Sequence, residues 1–560
     1  MRLLPLLFAV PLLACGATDS RPAASEDALR SVSEADVLAD LDFLGEQIRQ
    51  LYASLSTREG FDLDVALTEA RAEVRAAKDD SGRIGAIHAL LAKLEDPSVV
   101  ISDPMFHGEA ATDATLPLGA RPAEGQYVLT GGAAPLKASD VVVSIDGVPV
   151  AELEAALGSY VNAALPEAKA TATASLLFRR PFWLPSTLRP KGPTAKVEVA
   201  HLDGTTATAD LAWGHSPTLD QTIEAALAEP APADDDAIVE PPPAATTTTT
   251  PAPTFDPNAL GSARPEWWTA TVGFTLKPTV VTPSAEVSMT PELAPRAVRF
   301  TVEEKGVVVV RLPSLRLQRE DARLAIDLVG ALLREQKPDA VVLDLTGLNG
   351  GSQEYLAGLT SLLTTSPVPR ASLAYHADRQ NLIELENATL RGPSPTARSF
   401  YASVGLDLER AFDAHEPLGA FAPVVGLTYG SGIDVSDDLV YGARTTASNP
   451  GGVYAGPVLV LQNERTSNVA EAFALSLQRA GIAKTFGAPT AGAGGIVGYF
   501  ELPQTQTQVW LPRSVLAVGE TTIQDRGVTP DFPRLRQRLD TGNYYSFTRS
   551  FLNAAVKVSR

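Results

Sequence analysis

The chain has 560 residues, of which 45% are hydrophobic, so it is long enough to form roughly two to four domains with buried cores. Its 66 acidic and 46 basic side chains give a formal net charge of −20. This charge argues against a nucleic-acid partner, because phosphates require a basic surface. It also argues against attachment to anionic lipid through a basic patch.

The N-terminus has the pattern of a secretory signal. A basic start at Met1-Arg2 is followed by an apolar run that ends in Leu12-Leu13-Ala14-Cys15. The run is too short to span a bilayer. The final four residues resemble the lipobox of bacterial lipoproteins, which implies a signal peptide over residues 1–14, acylation of Cys15 and a tether over residues 15–30.

Cysteine usage is consistent with this interpretation. Cys15 is the only cysteine, so no intrachain disulfide can form. The alternative is an ordinary cleaved signal with a chance cysteine. Since Gly16 is not the aspartate that resembles an inner-membrane retention signal, we expect a lipid-anchored protein of the cell envelope, in the outer membrane if the host is Gram-negative.

Residues 31–110 are expected to form a helical N-terminal domain. The sequence Ser33-Glu34-Ala35-Asp36 has the spacing of a capping box. Apolar residues at helical spacing follow it. Two further helices are predicted over 63–78 and 84–94, and the second of these ends before Pro97.

Residues 115–215 show alternation typical of strands, with a tight-turn signal at Asp146-Gly147. The stretch from Leu136 to Val150 resembles a PDZ hairpin, which implies a PDZ-like α+β module. Residues 229–262 are rich in Pro, Thr and Asp, a composition that buries too little surface to fold. We therefore predict a disordered linker there.

Residues 263–560 are expected to form one α/β domain. From Arg299 onward, strand and helix patterns alternate, which implies right-handed crossovers and parallel strand pairing. The predicted strands are 306–312, 340–345, 457–461 and 483–487, and the predicted helices are 321–336, 353–364 and 469–480.

Three segments between residues 299 and 533 resemble the tail-specific (C-terminal processing) serine proteases. The family patterns are D-L-R-x-N-x-G-G, P-V-x-V-L-x-N-x-x-T-x-S-A-A-E followed by V-G-x-x-T-x-G-K-G, and G-V-x-P-D. The corresponding segments here are Asp344 to Gly351, Gly456 to Gly494, and Gly527 to Asp531. The resemblance implies a crotonase/Clp-protease-like α/β core and peptide or protein substrates.

The reactive positions of that family are changed. The family's nucleophilic serine aligns with Asn468 and its lysine with Ala493. An amide is not a nucleophile, and a methyl group cannot accept a proton. Relatives without the lysine often have an acidic residue where this chain has Gln524. The helical N-terminal domain of relatives in general often has a histidine where this chain has Ser98.

Two features leave open whether the chain retains a catalytic or peptide-binding site. Ser467 is a fallback nucleophile that lies one position early. Gly350 and Gly351 are candidates for an oxyanion- or peptide-binding turn, although a purely structural turn is the alternative. Asn468 itself suits a helix N-cap, with Glu471 three residues on.

The sequence thus predicts a membrane-anchored pseudoprotease that binds extended peptides or protein C-termini. The alternatives are an active serine-type peptidase that uses Ser467 and a passive structural surface lipoprotein. No phosphate loop, dinucleotide fingerprint or metal-ligand spacing is present, so neither a cofactor nor a metal is expected.

Overall fold

The structure is a computed structural model that describes residues 32–216, 299–429 and 453–538. Within these ranges it leaves out residues 56–57, 59, 104–112, 133, 304–305, 313–318, 350–352, 365–367, 370, 392–394, 415–420, 424–427, 496, 520 and 536–537. In the described residues, no helix has the length and hydropathy needed to cross a membrane. The predicted signal peptide, tether and linker lie outside the described residues.

The described part of the chain begins with three helices: α1 (Glu34–Leu51), α2 (Leu63–Ala76) and α3 (Asp80–Ala92). The capping box predicted at Ser33 is confirmed, because its hydroxyl accepts from Asp36 N–H while the Asp36 carboxylate accepts from Ser33 N–H. The apolar faces of the helices share one core with Leu502, Val509 and Leu511 from late in the chain.

A middle module (residues 113–216) follows. Its main sheet has the order β3-β4-β5-β8-β9, with β6 beside β5, and the predicted turn at Asp146-Gly147 joins β5 to β6. A smaller sheet has the order β10-β2-β7. Helices α4 (Val150–Gly158) and α5 (Pro166–Phe178) contribute to its core. The strands are β2 (Asp113–Thr115), β3 (Ala120–Ala123), β4 (Gln126–Leu129), β5 (Val141–Ile145), β6 (Val148–Pro149), β7 (Arg179–Arg180), β8 (Thr194–Ala200), β9 (Thr206–Ala212) and β10 (Gly214–Ser216).

The C-terminal part is built on a six-stranded sheet of order β11-β12-β13-β18-β19-β24. All neighbours from β12 to β24 are parallel, which confirms the pairing predicted from the alternating pattern, and β11 is antiparallel. Helices α6 (Arg319–Gln336), α7 (Gln353–Leu363) and α10 (Val469–Arg479) pack on this sheet. The strands are β11 (Arg299–Glu303), β12 (Val307–Arg311), β13 (Ala340–Asp344), β18 (Val458–Gln462), β19 (Ala483–Gly487) and β24 (Phe532–Pro533).

Smaller sheets surround this core. The sheet β1-β21-β20 connects the chain's first third to its last, because β1 (Val100–Ser102) pairs with β21 (Gln508–Pro512). A second sheet has the order β16-β15-β22-β23, and β14 pairs with β17. Helices α8 (Arg379–Arg391) and α9 (Pro395–Asp413) form a hairpin after β15. The remaining strands are β14 (Val368–Pro369), β15 (Ala371–His376), β16 (Phe421–Pro423), β17 (Thr428–Tyr429), β20 (Val497–Glu501), β22 (Ser514–Val518) and β23 (Thr521–Thr522).

Candidate active site

The turn between β18 and α10 is fixed by two buried polar side chains. Asn463 Oδ1 accepts hydrogen bonds from the backbone N–H groups of Gly347 (2.9 Å) and Arg465 (3.2 Å). Thr466 Oγ1 donates to the Leu345 carbonyl oxygen at 2.9 Å. These bonds connect the carboxyl ends of β13 and β18, so both retained motif residues have a structural role.

Asn468 is the N-cap of α10 and has an unusual backbone conformation. Its φ of 59° and ψ of −126° lie where residues other than glycine are rarely found. Such strain is held in place by surrounding structure and clusters at functional sites. The side chain is half-buried, at the start of a helix whose free N–H groups and positive dipole end are nearby.

The strained turn is organised by the carboxylate of Glu471. Its Oε2 accepts from the N–H groups of Asn468 (2.6 Å) and Ala493 (3.1 Å). Its Oε1 accepts from Gly492 N–H at 2.7 Å and from the Thr490 hydroxyl. The capping interaction predicted for Glu471 therefore extends to the loop after β19.

Glu471 is fully buried, and desolvation raises its pKa to about 8 despite the four donors that stabilise the ionised form. No cation contacts its oxygens among the described residues. The carboxylate is thus held by dipoles alone.

Ala493, at the predicted lysine position, lies directly beside Asn468. The Asn468 N–H donates to the Ala493 carbonyl oxygen at 3.1 Å. Next to Ala493, Gly494 N–H donates to Ser98 Oγ at 2.9 Å, and Ser98 Oγ contacts the Gly494 carbonyl oxygen at 3.3 Å. Asn468, Ala493 and Ser98, which the sequence aligns with the family's serine, lysine and histidine, therefore lie around one loop.

Gln524 completes this cluster through a buried acid. Its Nε2 donates to Asp96 Oδ2 at 2.6 Å, and Tyr52 OH donates to the same oxygen at 2.9 Å. Burial raises the pKa of Asp96, which is completely enclosed. Next to Gln524, Asp525 N–H donates to the Gly492 carbonyl oxygen at 2.9 Å. The Asp525 carboxylate pairs with Arg58.

The other predicted site residues have different outcomes. Ser467 is 8% exposed, and its N–H donates to the Leu348 carbonyl oxygen at 2.8 Å, so it is part of the connection to β13. Gly350, Gly351 and Cys15 lie outside the described residues. Over the described ranges, no group of three or more His, Cys, Asp or Glu residues could hold a metal ion.

The polar connection from Tyr52 through Asp96 to Gln524 was not predicted from the sequence. Its members are separated by 44 and 428 positions. The only signal available was the match of Ser98 and Gln524 to family positions that usually carry a histidine and an acid. Neither match reveals that Asp96 lies between Gln524 and Tyr52.

Comparisons with known proteins agree with the motifs. Residues 306–534 match the model of peptidase family S41. An uncharacterized protein of Chlamydia muridarum (strain MoPn / Nigg) is 27% identical over 201 residues, which are 35% of this chain and 33% of that protein. The matched part thus spans about a third of the length of that relative.

Solved structures show the same fold. Mature CPAF complexed with lactacystin aligns with a TM-score of 0.65 over 94% of this chain and 98% of that one, at 18% identity. Mature CPAF alone gives a TM-score of 0.64, again at 18% identity, over 94% of this chain and 97% of that one. The Clp-protease-like α/β fold predicted from the sequence is confirmed. Residues 306–534 therefore form a peptidase family S41 domain, as the motifs predict.

Proposed function

We propose that this protein is a pseudoprotease: a peptidase-fold lipoprotein of the cell envelope that binds extended peptides or protein C-termini without cutting them. One observation carries the proposal. The hydrogen bonds that build the family turn are present, while Asn468, Ala493, Ser98 and Gln524 occupy the positions where the family's reactive groups are expected.

The chemistry of these four residues supports binding over hydrolysis. Acyl transfer needs a nucleophile, a base within hydrogen-bonding reach of it and a group that orients the base. An amide at 468 supplies no nucleophile, and neither a methyl group at 493 nor an amide at 524 accepts a proton at neutral pH. The hydroxyl of Ser98 is a poor general base because it hardly ionises.

The proposal of peptide binding is based on the substrates of the family. Peptidases of this fold act on peptide or protein chains, and a sheet edge can take up an extended segment through main-chain hydrogen bonds. Acylation of Cys15 is the proposed means of attachment to the membrane, and it rests on the lipobox alone.

The second candidate is a serine peptidase that uses Ser467. The favourable observation is that Ser467 adjoins the strained N-cap of α10. Against it, the backbone N–H of Ser467 pairs with Leu348, and an isolated parallel bridge links it to Asn349. These bonds fix Ser467 as an extension of the sheet.

The test is hydrolysis of unfolded casein and of a C-terminally tagged peptide by the wild type and by Ser467→Ala. We expect neither protein to cleave, and we expect both to retain the peptide in a pull-down. Cleavage by the wild type alone identifies Ser467 as the nucleophile and overturns the proposal. Absence of both cleavage and retention supports a passive structural lipoprotein.

A further inference from the structure

A pocket of about 220 Å³ lies where the middle module meets the carboxyl edge of the parallel sheet. On the sheet side, Glu464, Ala488 and Leu535 line it, and each follows the end of a strand, β18, β19 and β24 respectively. In parallel α/β sheets, this edge is where ligands bind. Glu464 also belongs to the turn that carries Asn468. We call this cavity the seam pocket.

The seam pocket is mostly apolar. On the module side its walls include Pro122 of β3 and Pro166 at the start of α5, and Leu535 closes it from the sheet side. Its volume is below the roughly 300–1,000 Å³ of clefts that enclose whole small molecules. It therefore suits one long side chain of an extended peptide.

The charged side chains among the described lining residues are all acidic. Glu124, Glu167 and Glu464 line the pocket, and no Lys, Arg or His is among its described lining residues. Glu464 is 7% exposed, and Thr171 Oγ1 donates to its Oε1 at 3.2 Å, which fixes the orientation of the carboxylate. Lys169 lines a neighbouring cavity instead, and its ammonium group pairs with Glu95.

This lining selects against a C-terminal carboxylate and for a cation. Like charges in a partly buried site repel, whereas a guanidinium or ammonium group forms charge-assisted hydrogen bonds with carboxylates. The apolar stem of Arg or Lys can lie on the pocket walls. The N-terminus of α5 does not favour an anion either, because Glu167 already lies in its first turn.

We propose that the seam pocket receives an arginine or lysine side chain of an extended peptide, so that this protein selects internal basic–apolar segments over free C-termini. The inference rests on the proposed peptide-binding function and names the class of peptide. It also joins the middle module to the candidate site, because a peptide seated on Glu464 lies on the loop that leads to Asn468.

The experiment measures retention of randomised heptapeptide pools on the immobilised full chain by mass spectrometry. The pools have blocked termini and a fixed central arginine, citrulline or glutamate, and a further pool has a free C-terminus. Citrulline has the shape of arginine without its charge. We expect the arginine pool to be retained about tenfold better than the citrulline pool.

Variants of the lining residues test which side chains cause the preference for arginine. Glu124→Gln combined with Glu167→Gln, and separately Glu464→Gln, are expected to abolish the preference for arginine, while Glu152→Gln on the exposed side of α4 leaves it unchanged. Equal retention of arginine and citrulline peptides, or a requirement for a free C-terminus, overturns this inference and leaves peptide binding intact. Retention of no pool at all overturns peptide binding itself.

Discussion

At the scale of single residues, Glu471 decides the shape of the candidate site. One carboxylate accepts hydrogen bonds from Asn468, Gly492, Ala493 and Thr490, and so it joins the start of α10 to the loop after β19. The residue held at this helix start is Asn468, whose side chain is an amide and not a nucleophile.

Glu471→Gln tests this role. The amide NH₂ group must face backbone donors that it cannot accept from, which leaves buried N–H groups unsatisfied. We expect a loss of about 3 kcal/mol in the free energy of unfolding, measured by chemical denaturation. Glu152→Gln, an exposed control, should have no measurable effect, and an equally harmless Glu471→Gln contradicts the assigned role.

The raised pKa of Glu471 also predicts a pH dependence. In the folded state the pKa of Glu471 is about 8, above the ordinary glutamate value of 4.5. Between pH 4.5 and pH 8 the folded state binds more protons than the unfolded state. The contribution of protonated Glu471 to the free energy of unfolding is therefore fully present below about pH 4.5 and is lost as the pH rises to about 8. The stability difference between wild type and Glu471→Gln should shrink over that interval, and a constant difference contradicts the assignment.

Gln524 provides a second test at this scale. Gln524→Glu places a carboxylate beside the buried Asp96, and we expect a loss of about 3 kcal/mol at pH 8. The loss should be smaller at pH 5, where one proton can be shared by the pair. Adding Ser98→His should restore part of the stability by supplying a cation. Thermal unfolding is measured for Ser98→His, for Gln524→Glu and for the double variant. If the stability change of the double variant equals the sum of the two single changes, the two positions do not interact, which contradicts this expectation.

The sequence could predict the residues of this site better than their contacts. Motif order alone placed Asn468 and Ala493 in one site, and the structure puts the Asn468 nitrogen 3.1 Å from the Ala493 carbonyl oxygen. The connection through Asp96 could not be predicted, because a buried polar contact between residues hundreds of positions apart leaves no periodic trace. Gly350 and Gly351 remain predictions.

At the scale of elements, periodicity predicted the parallel strands and their helices well. The continuous apolar run over residues 307–310 indicates a strand buried on both faces, and all five residues of β12 are buried. The α8–α9 hairpin and the β1-β21-β20 sheet were missed. The short strand β1 has no length or alternation to distinguish it, and its partner lies some 400 residues later.

The contact between α3 and the middle module is a close one. A Cβ atom at Gly85 would overlap the backbone carbonyl oxygen of Trp183, and the Trp183 ring stacks on His88 with centroids 3.9 Å apart. Gly85→Ala must therefore move the backbone of one element. We expect a loss of about 2 kcal/mol in the free energy of unfolding.

Gly192→Ala is the matched control, because no atom lies within 4 Å of the added carbon. Limited proteolysis should show earlier cleavage between α3 and the middle module only in Gly85→Ala. Equal stability of the two variants would mean that α3 and the module are not rigidly packed.

At the scale of the whole molecule, the helices of the first third share a core with strands of the last third. This shared core joins helices α1 to α3 to residues 502–511. This shared core explains why Ser98 and Asp96, which precede the family domain, lie beside Gly494 and Gln524.

Attachment to the membrane is tested at this scale. Cys15→Ala removes the only acylation site that the lipobox implies. In the native host we expect the variant to lose incorporation of labelled palmitate and to move from the membrane to the soluble fraction. Unchanged palmitate labelling contradicts the lipoprotein assignment.

The most direct test of the pseudoprotease proposal is labelling with a fluorophosphonate probe, read by mass spectrometry. It compares the wild type with a variant that combines Asn468→Ser, Ser98→His and Gln524→Glu. We predict that the wild type stays unlabelled and that the combined variant is labelled at position 468, because Glu471 holds that residue at the start of α10, beside the positive end of the helix dipole. Labelling of the wild type would show an active serine and contradict the proposal.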